Sequence, residues 1–182
     1  MRNLILSRLP VGEFPDSSWK YVRLLDSTTS ILDQLKTNGN DSSSWLASLP
    51  EEACSEPYGP GKWSIKDTVC HLSDDERIYV YRALRFARGD QTILSGFDQD
   101  LYAASAVANR RTMRDLIDEF VSIRHSTLTF FNSLDEGALA RRGSFEGREF
   151  TSRGLAFHIA GHELHHTKIL RSFIQGRADA PQ

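Results

Sequence analysis

Apolar residues recur at the three- and four-residue spacing of helix faces in four segments, and no segment alternates convincingly like a strand. The first segment follows Pro15-Asp16, with Tyr21, Leu24, Leu25, Thr28, Ile31, Leu32 and Leu35 on one face and Gly39 as its expected end. Residues 40–62 carry Ser42-Ser43-Ser44, Pro50, Pro57, Gly59, Pro60 and Gly61, and read as a long connecting loop with room for one helical turn around Trp45. Ser64 and Asp67 have the spacing of a capping box, and open a second helix through Ile65, Val69, Leu72, Tyr79, Ala83 and Phe86 to Gly89. Thr112 and Asp115 repeat that spacing before a third helix with Met113, Leu116, Ile117, Phe120, Ile123, Thr127, Phe131 and Leu134 on its face. The fourth starts at Thr151 or Ser152, carries Leu155, Ile159, Ile169, Leu170 and Phe173, and is expected to stop at Gly176. A small hairpin fits Ser144 to Phe150. The pattern predicts an all-α four-helix bundle whose long inter-helix connections allow parallel as well as antiparallel neighbours.

Composition narrows the class. A chain of 182 residues suits one domain over 1–182, with a bundle core at about 16–175. With 40% hydrophobic and 25% charged residues it has enough apolar surface to fold as a globule. A formal charge of −2 argues against nucleic acid or anionic lipid as a partner, and no stretch is long and apolar enough for a membrane span. The apolar run Leu4-Ile5-Leu6 is too short for a signal-peptide core. Cys54 and Cys70 fit neither a redox pair nor a zinc knuckle, so two reduced thiols and a cytoplasmic location are expected.

Candidate chemistry concentrates on the fourth helix, where His158, His162, His165 and His166 lie within nine residues. At about 100° per residue, His162 and His166 fall about 20° to either side of Leu155, in the middle of the apolar stripe, while His158 and His165 fall on its margin. An imidazole pair at i and i+4 converges beside the helix and offers two nitrogen ligands to a divalent ion. The plainer alternative is one histidine in a buried polar contact with the others solvated. Two rings on an apolar face favour the ion, because without a shared partner each ring would lose hydrogen bonding. His162-Glu163-Leu164-His165-His166 also matches the His-Glu-x-x-His zinc protease helix, with Glu163 as general base. Against it, few residues follow His166, Asp179 is the one acid among them, and no clear sheet precedes the helix.

Gly61-Lys62-Trp63-Ser64-Ile65-Lys66-Asp67 leading to His71-Leu72, followed by Gly161-His162-Glu163-Leu164-His165-His166, resembles the DinB-like superfamily over about residues 16 to 175. The resemblance implies a four-helix bundle, often a homodimer, in which His71, His162 and His166 hold zinc, nickel or a similar ion. From its own helix, His71 lies roughly 100° off the apolar stripe and reads as a partly buried packing residue. Trp63 is expected to pack at the helix entrance, and His125 to face solvent. Characterised relatives include metal-dependent transferases for small bacterial thiols and a thiol-dependent isomerase. A thiol transferase or related hydrolase follows, acting on a small-molecule thiol or electrophile, with Glu163 or Glu76 as proton acceptor. The alternative is a noncatalytic metal-binding or stress-response bundle. Arg124 falls about 20° from Met113, inside an apolar stripe. It should either pair with Glu76 or another acid, snorkel to the bundle end, or reach the metal cavity and bind an anionic group of the substrate.

Overall fold

A computed structural model describes Ile5 and residues 12–178, with the backbone alone at 177 and 178. The rest of the N-terminal run and Asp179 lie outside the described residues. Four long helices build the bundle: α2 (Ile31–Ala47), α4 (Ile65–Ala87), α6 (Met113–Ser133) and α8 (Ser152–Ala178). Short elements fill the connections: α1 (Trp19–Val22), α3 (Glu51–Cys54), α5 (Gln99–Ala106), α7 (Glu136–Ala140) and the strands β1 (Arg142–Phe145) and β2 (Arg148–Thr151). Both capping boxes form, with Ser64 accepting from the Asp67 amide at 3.0 Å and Thr112 from the Asp115 amide at 3.1 Å. The strands pair antiparallel, Arg142 opposite Thr151, around a Glu146-Gly147 turn whose two residues both have positive φ, 49° and 70°. No helix of the described residues is long and apolar enough to cross a membrane.

Three boundaries differ from those expected. The first helical segment is two helices, because Asp26 accepts from the Thr28 amide at 2.8 Å and from the Thr28 and Thr29 hydroxyls, closing a turn that competes with helix. Ser30 then caps α2 afresh, accepting from the Asp33 amide at 3.3 Å. Gly39 does not end α2, which runs eight residues further. A Cβ at position 39 would lie 2.8 Å from Arg124 Nη1, so this glycine makes room for a close approach by α6. At the C-terminus, α8 passes through Gly176 to Ala178.

Tyr79 stacks on His158 and the Ser152 hydroxyl donates to the Ala83 carbonyl, so α4 and α8 run antiparallel. Ile65 and Met113, near the starts of α4 and α6, share one apolar cluster, while Phe86 and Phe131, near their ends, share another. Those two helices are therefore parallel. By the same criterion α2 parallels α8, since Ile31 clusters with Leu155 and Leu46 with Leu170. The parallel α4–α6 pair requires the long 88–112 connection. Between the two clusters, all four long helices turn polar side chains inward: Ser42, His71, Asp75, Glu76, Arg124, Thr127, His162 and Glu163 are all buried. The core is thus two apolar halves separated by one polar layer.

Candidate metal centre

His71 and Asp75, one turn apart on α4, face His162 and His166, one turn apart on α8. Their ring nitrogens close on a single point. His162 Nε2 lies 3.3 Å from His71 Nε2 and 3.0 Å from His166 Nε2, and one nitrogen from each ring falls within 4.8 Å of the others. Asp75 Oδ2 stands 3.1 Å from His162 Nδ1. An ionised carboxylate only accepts, so Nδ1 carries the proton and the Nε2 lone pair of His162 is turned toward the other two rings. Burial pushes the imidazolium of His71 down to about 4 and that of His166 down to about 2, which leaves both rings neutral donors at pH 7. Burial raises the Asp75 carboxyl, but the His162 ring beside it and their hydrogen bond outweigh this and hold it near 2.

The residues fit a divalent ion. Tetrahedral coordination at about 2.0–2.1 Å separates ligand nitrogens by about 3.3–3.4 Å, close to the two short spacings here. The hydrogen-bonded set in the polar layer holds three carboxyl side chains, Asp75, Glu76 and Glu163, and one guanidinium, Arg124, beside the three imidazoles.

The family model of the DinB superfamily matches residues 34–170, three-quarters of the chain and both histidine helices. The chain belongs to the DinB superfamily. A protein of Oceanobacillus iheyensis, whose name assigns it provisionally to the metal-dependent hydrolases, is 30% identical over 79 residues, 43% of this chain and 45% of its own. The chain thus matches under half the length of that curated relative. Among solved structures, YfiT from Bacillus subtilis, described as a probable metal-dependent hydrolase with an unusual four-helix bundle topology, superposes with a TM-score of 0.73. It shares 11% identity and covers 94% of both chains. A mycothiol-dependent maleylpyruvate isomerase superposes at 0.63 with 12% identity, over 75% of this chain and 57% of its own. Both show the shared fold.

In this DinB bundle, the other residues singled out in the sequence have definite places. His158 is buried rather than marginal: its Nδ1 lies 3.0 Å from the Ser18 hydroxyl and its ring stacks on Tyr79 at 4.3 Å. The first half of α8 has no exposed margin, because α1, α7 and the hairpin cover it. His165 is half-buried against Tyr21, His125 is exposed, and Trp63 packs on His71 with ring centroids 4.7 Å apart. Glu163, Glu76 and Arg124 meet in the same polar layer, beside Asp75 and His162. Arg124 donates from Nη2 to Glu76 at 2.8 Å and from Nη1 to Glu163 at 2.7 Å. The two carboxylates hold the guanidinium's pKa above its ordinary value despite burial, whereas burial raises that of Glu163. Asp75 was missed in the sequence. Its signal was the i+4 spacing from His71, which puts a carboxylate on the same face of α4 as that ring.

Proposed function

We propose that the protein binds one divalent metal ion, zinc or nickel, through His71, His162 and His166, and uses it as a thiol transferase or related hydrolase on a small molecule. The observation that carries this reading is the convergence of three imidazoles on one point, with Asp75 orienting the central one. Three protein ligands leave coordination positions for water or substrate, the arrangement of catalytic rather than closed structural sites. A divalent ion there lowers the pKa of a thiol or water and so supplies a nucleophile at neutral pH. Trp63 packs against His71, and its indole also lines a neighbouring cavity of ≈ 290 Å³ with Asp67, Asp100 and Asn109, which none of the three histidines lines.

Glu163 and Glu76 stood in the sequence as proton acceptors. Their contacts favour a supporting role, since both accept from Arg124 and Glu163 also accepts from Ser42. The metalloprotease reading needs Glu163 free beside the ion and loses support for the same reason. A homodimer, expected from the family, belongs to this proposal and is checked by light scattering.

The test has two stages. Tag-free protein reconstituted with zinc, nickel, cobalt or manganese should hold one equivalent per chain, and less than about 0.2 equivalents of every ion would sink the reading. The loaded protein is then screened anaerobically with bacterial thiols and reactive halides. Turnover that disappears in His162→Ala supports the transferase. Full metal content without turnover of any pair favours the noncatalytic bundle.

A further inference from the structure

We infer that Arg124 is a positioning residue for the metal centre: its bridge between Glu76 and Glu163 fixes α4 and α8 in the register that brings His71 to His162 and His166. The inference rests on the metal reading of those histidines.

The bridge draws on all four long helices at one level. From α6, Arg124 Nε reaches Glu76 Oε1 on α4 at 3.0 Å and Nη2 reaches Oε2 at 2.8 Å, a forked contact. Its Nη1 donates to Glu163 Oε2 on α8 and to the Leu35 carbonyl on α2, both at 2.7 Å. Glu163 Oε1 in turn accepts from the Ser42 hydroxyl of α2 at 2.7 Å. Each carboxylate immediately follows a residue of the histidine set: Glu76 follows Asp75, and Glu163 follows His162. Successive helical residues differ by about 100°, so one member of each pair faces the histidines while the next faces the bridge. Pinning Glu76 and Glu163 therefore sets both the rotation and the axial position of the two ligand helices.

Apolar packing alone tolerates small slides and repacking. A guanidinium shared by two carboxylates and a carbonyl has one satisfied geometry, and any shift strands a buried charge. Metal affinity is sensitive to such shifts because ligands displaced by a few tenths of an ångström no longer meet the ion at bonding distance. Gly39 belongs to the same device, since only a residue without a Cβ lets Arg124 Nη1 lie against α2.

The decisive variant is Arg124→Lys, which keeps the charge and loses the fork, so that a change in it reports geometry rather than field. Cobalt(II) serves as the probe, titrated against a chelator far below the melting temperature and followed by its ligand-field bands. Arg124→Lys is expected to bind cobalt at least tenfold more weakly, with shifted bands, at unchanged helix content. Glu163→Gln, which keeps the side chain's size, provides the second arm if Arg124→Lys does not fold, and at least a threefold loss is expected. Wild-type affinity and wild-type bands in either folded variant would overturn the inference and make the bridge a stability element only. Wild-type protein that takes no cobalt would instead defeat the metal reading beneath it.

Discussion

At the scale of single residues, Asp75 decides how well the central imidazole is presented. Its hydrogen bond to Nδ1 fixes both the tautomer and the ring plane of His162, and partners of this kind are worth about 10- to 100-fold in metal affinity. Asp75→Asn should therefore lower zinc affinity by about that factor in a competition titration while leaving the circular dichroism spectrum unchanged. His165→Ala, by contrast, should leave affinity within about twofold, since His165 meets His166 edge-on, ring centroids 5.3 Å apart, rather than through a hydrogen bond that sets a ring's tautomer. Helix phase made His162 and His166 legible in the sequence, because both sit on the apolar stripe that must turn inward. It could not make His71 or Asp75 equally legible. Their face of α4 looks at α8 rather than at the apolar clusters, and only the packed bundle shows which neighbour a second face meets. His158 misled for a related reason: a margin on a helical wheel is solvent only if nothing covers it, and here Ser18 and, from α1, Tyr21 do.

At the scale of elements, α2 shows where local signals and packing part company. Gly39 and the serines after it read as a stop and a loop, yet the helix continues to Ala47 because the glycine is a contact and Ser42 donates to Glu163 at 2.7 Å. Two substitutions separate the roles of glycine in helices. Gly39→Ala places a methyl group 2.8 Å from a guanidinium tied on every side, and should destabilise the protein by about 1–3 kcal/mol. Gly176→Ala meets no atom within 4 Å and should stabilise α8 by a few tenths to about 1 kcal/mol, as propensity dictates. Urea denaturation of both variants checks the two signs, and a stabilised Gly39→Ala would mean that α2 and α6 can move apart. The capping boxes of α4 and α6 were legible because they are local. The break at Asp26 was not, because the leucine and isoleucine spacing continues in phase across it.

At the scale of the whole molecule, the layer between the two apolar clusters gathers the carboxyl groups of Asp75, Glu76 and Glu163, one guanidinium and three converging imidazoles. An ion held by imidazoles that converge only in the folded chain binds the native state and not the unfolded one, so metal should stabilise the fold as well as serve its chemistry. At free metal about 100 times its dissociation constant the gain is about 2.7 kcal/mol. In a chain of this size that corresponds to about 5–10 °C in melting temperature. Calorimetry of chelator-stripped and zinc-reloaded protein measures it, and equal melting temperatures would show that the folded chain holds zinc no better than the unfolded one. The divided core reaches further than stability. A bundle with one continuous core unfolds as a unit, whereas this one is two short bundles stacked end to end and joined by a seam of ions and imidazoles. With the seam weakened, the half holding Phe86 and Phe131 and the half holding Ile65 and Met113 become separate cooperative units, each opening to solvent on its own schedule. Amide exchange would then resolve two protection levels in stripped protein and one in loaded protein, with the ion acting as the rivet that makes two folding units one.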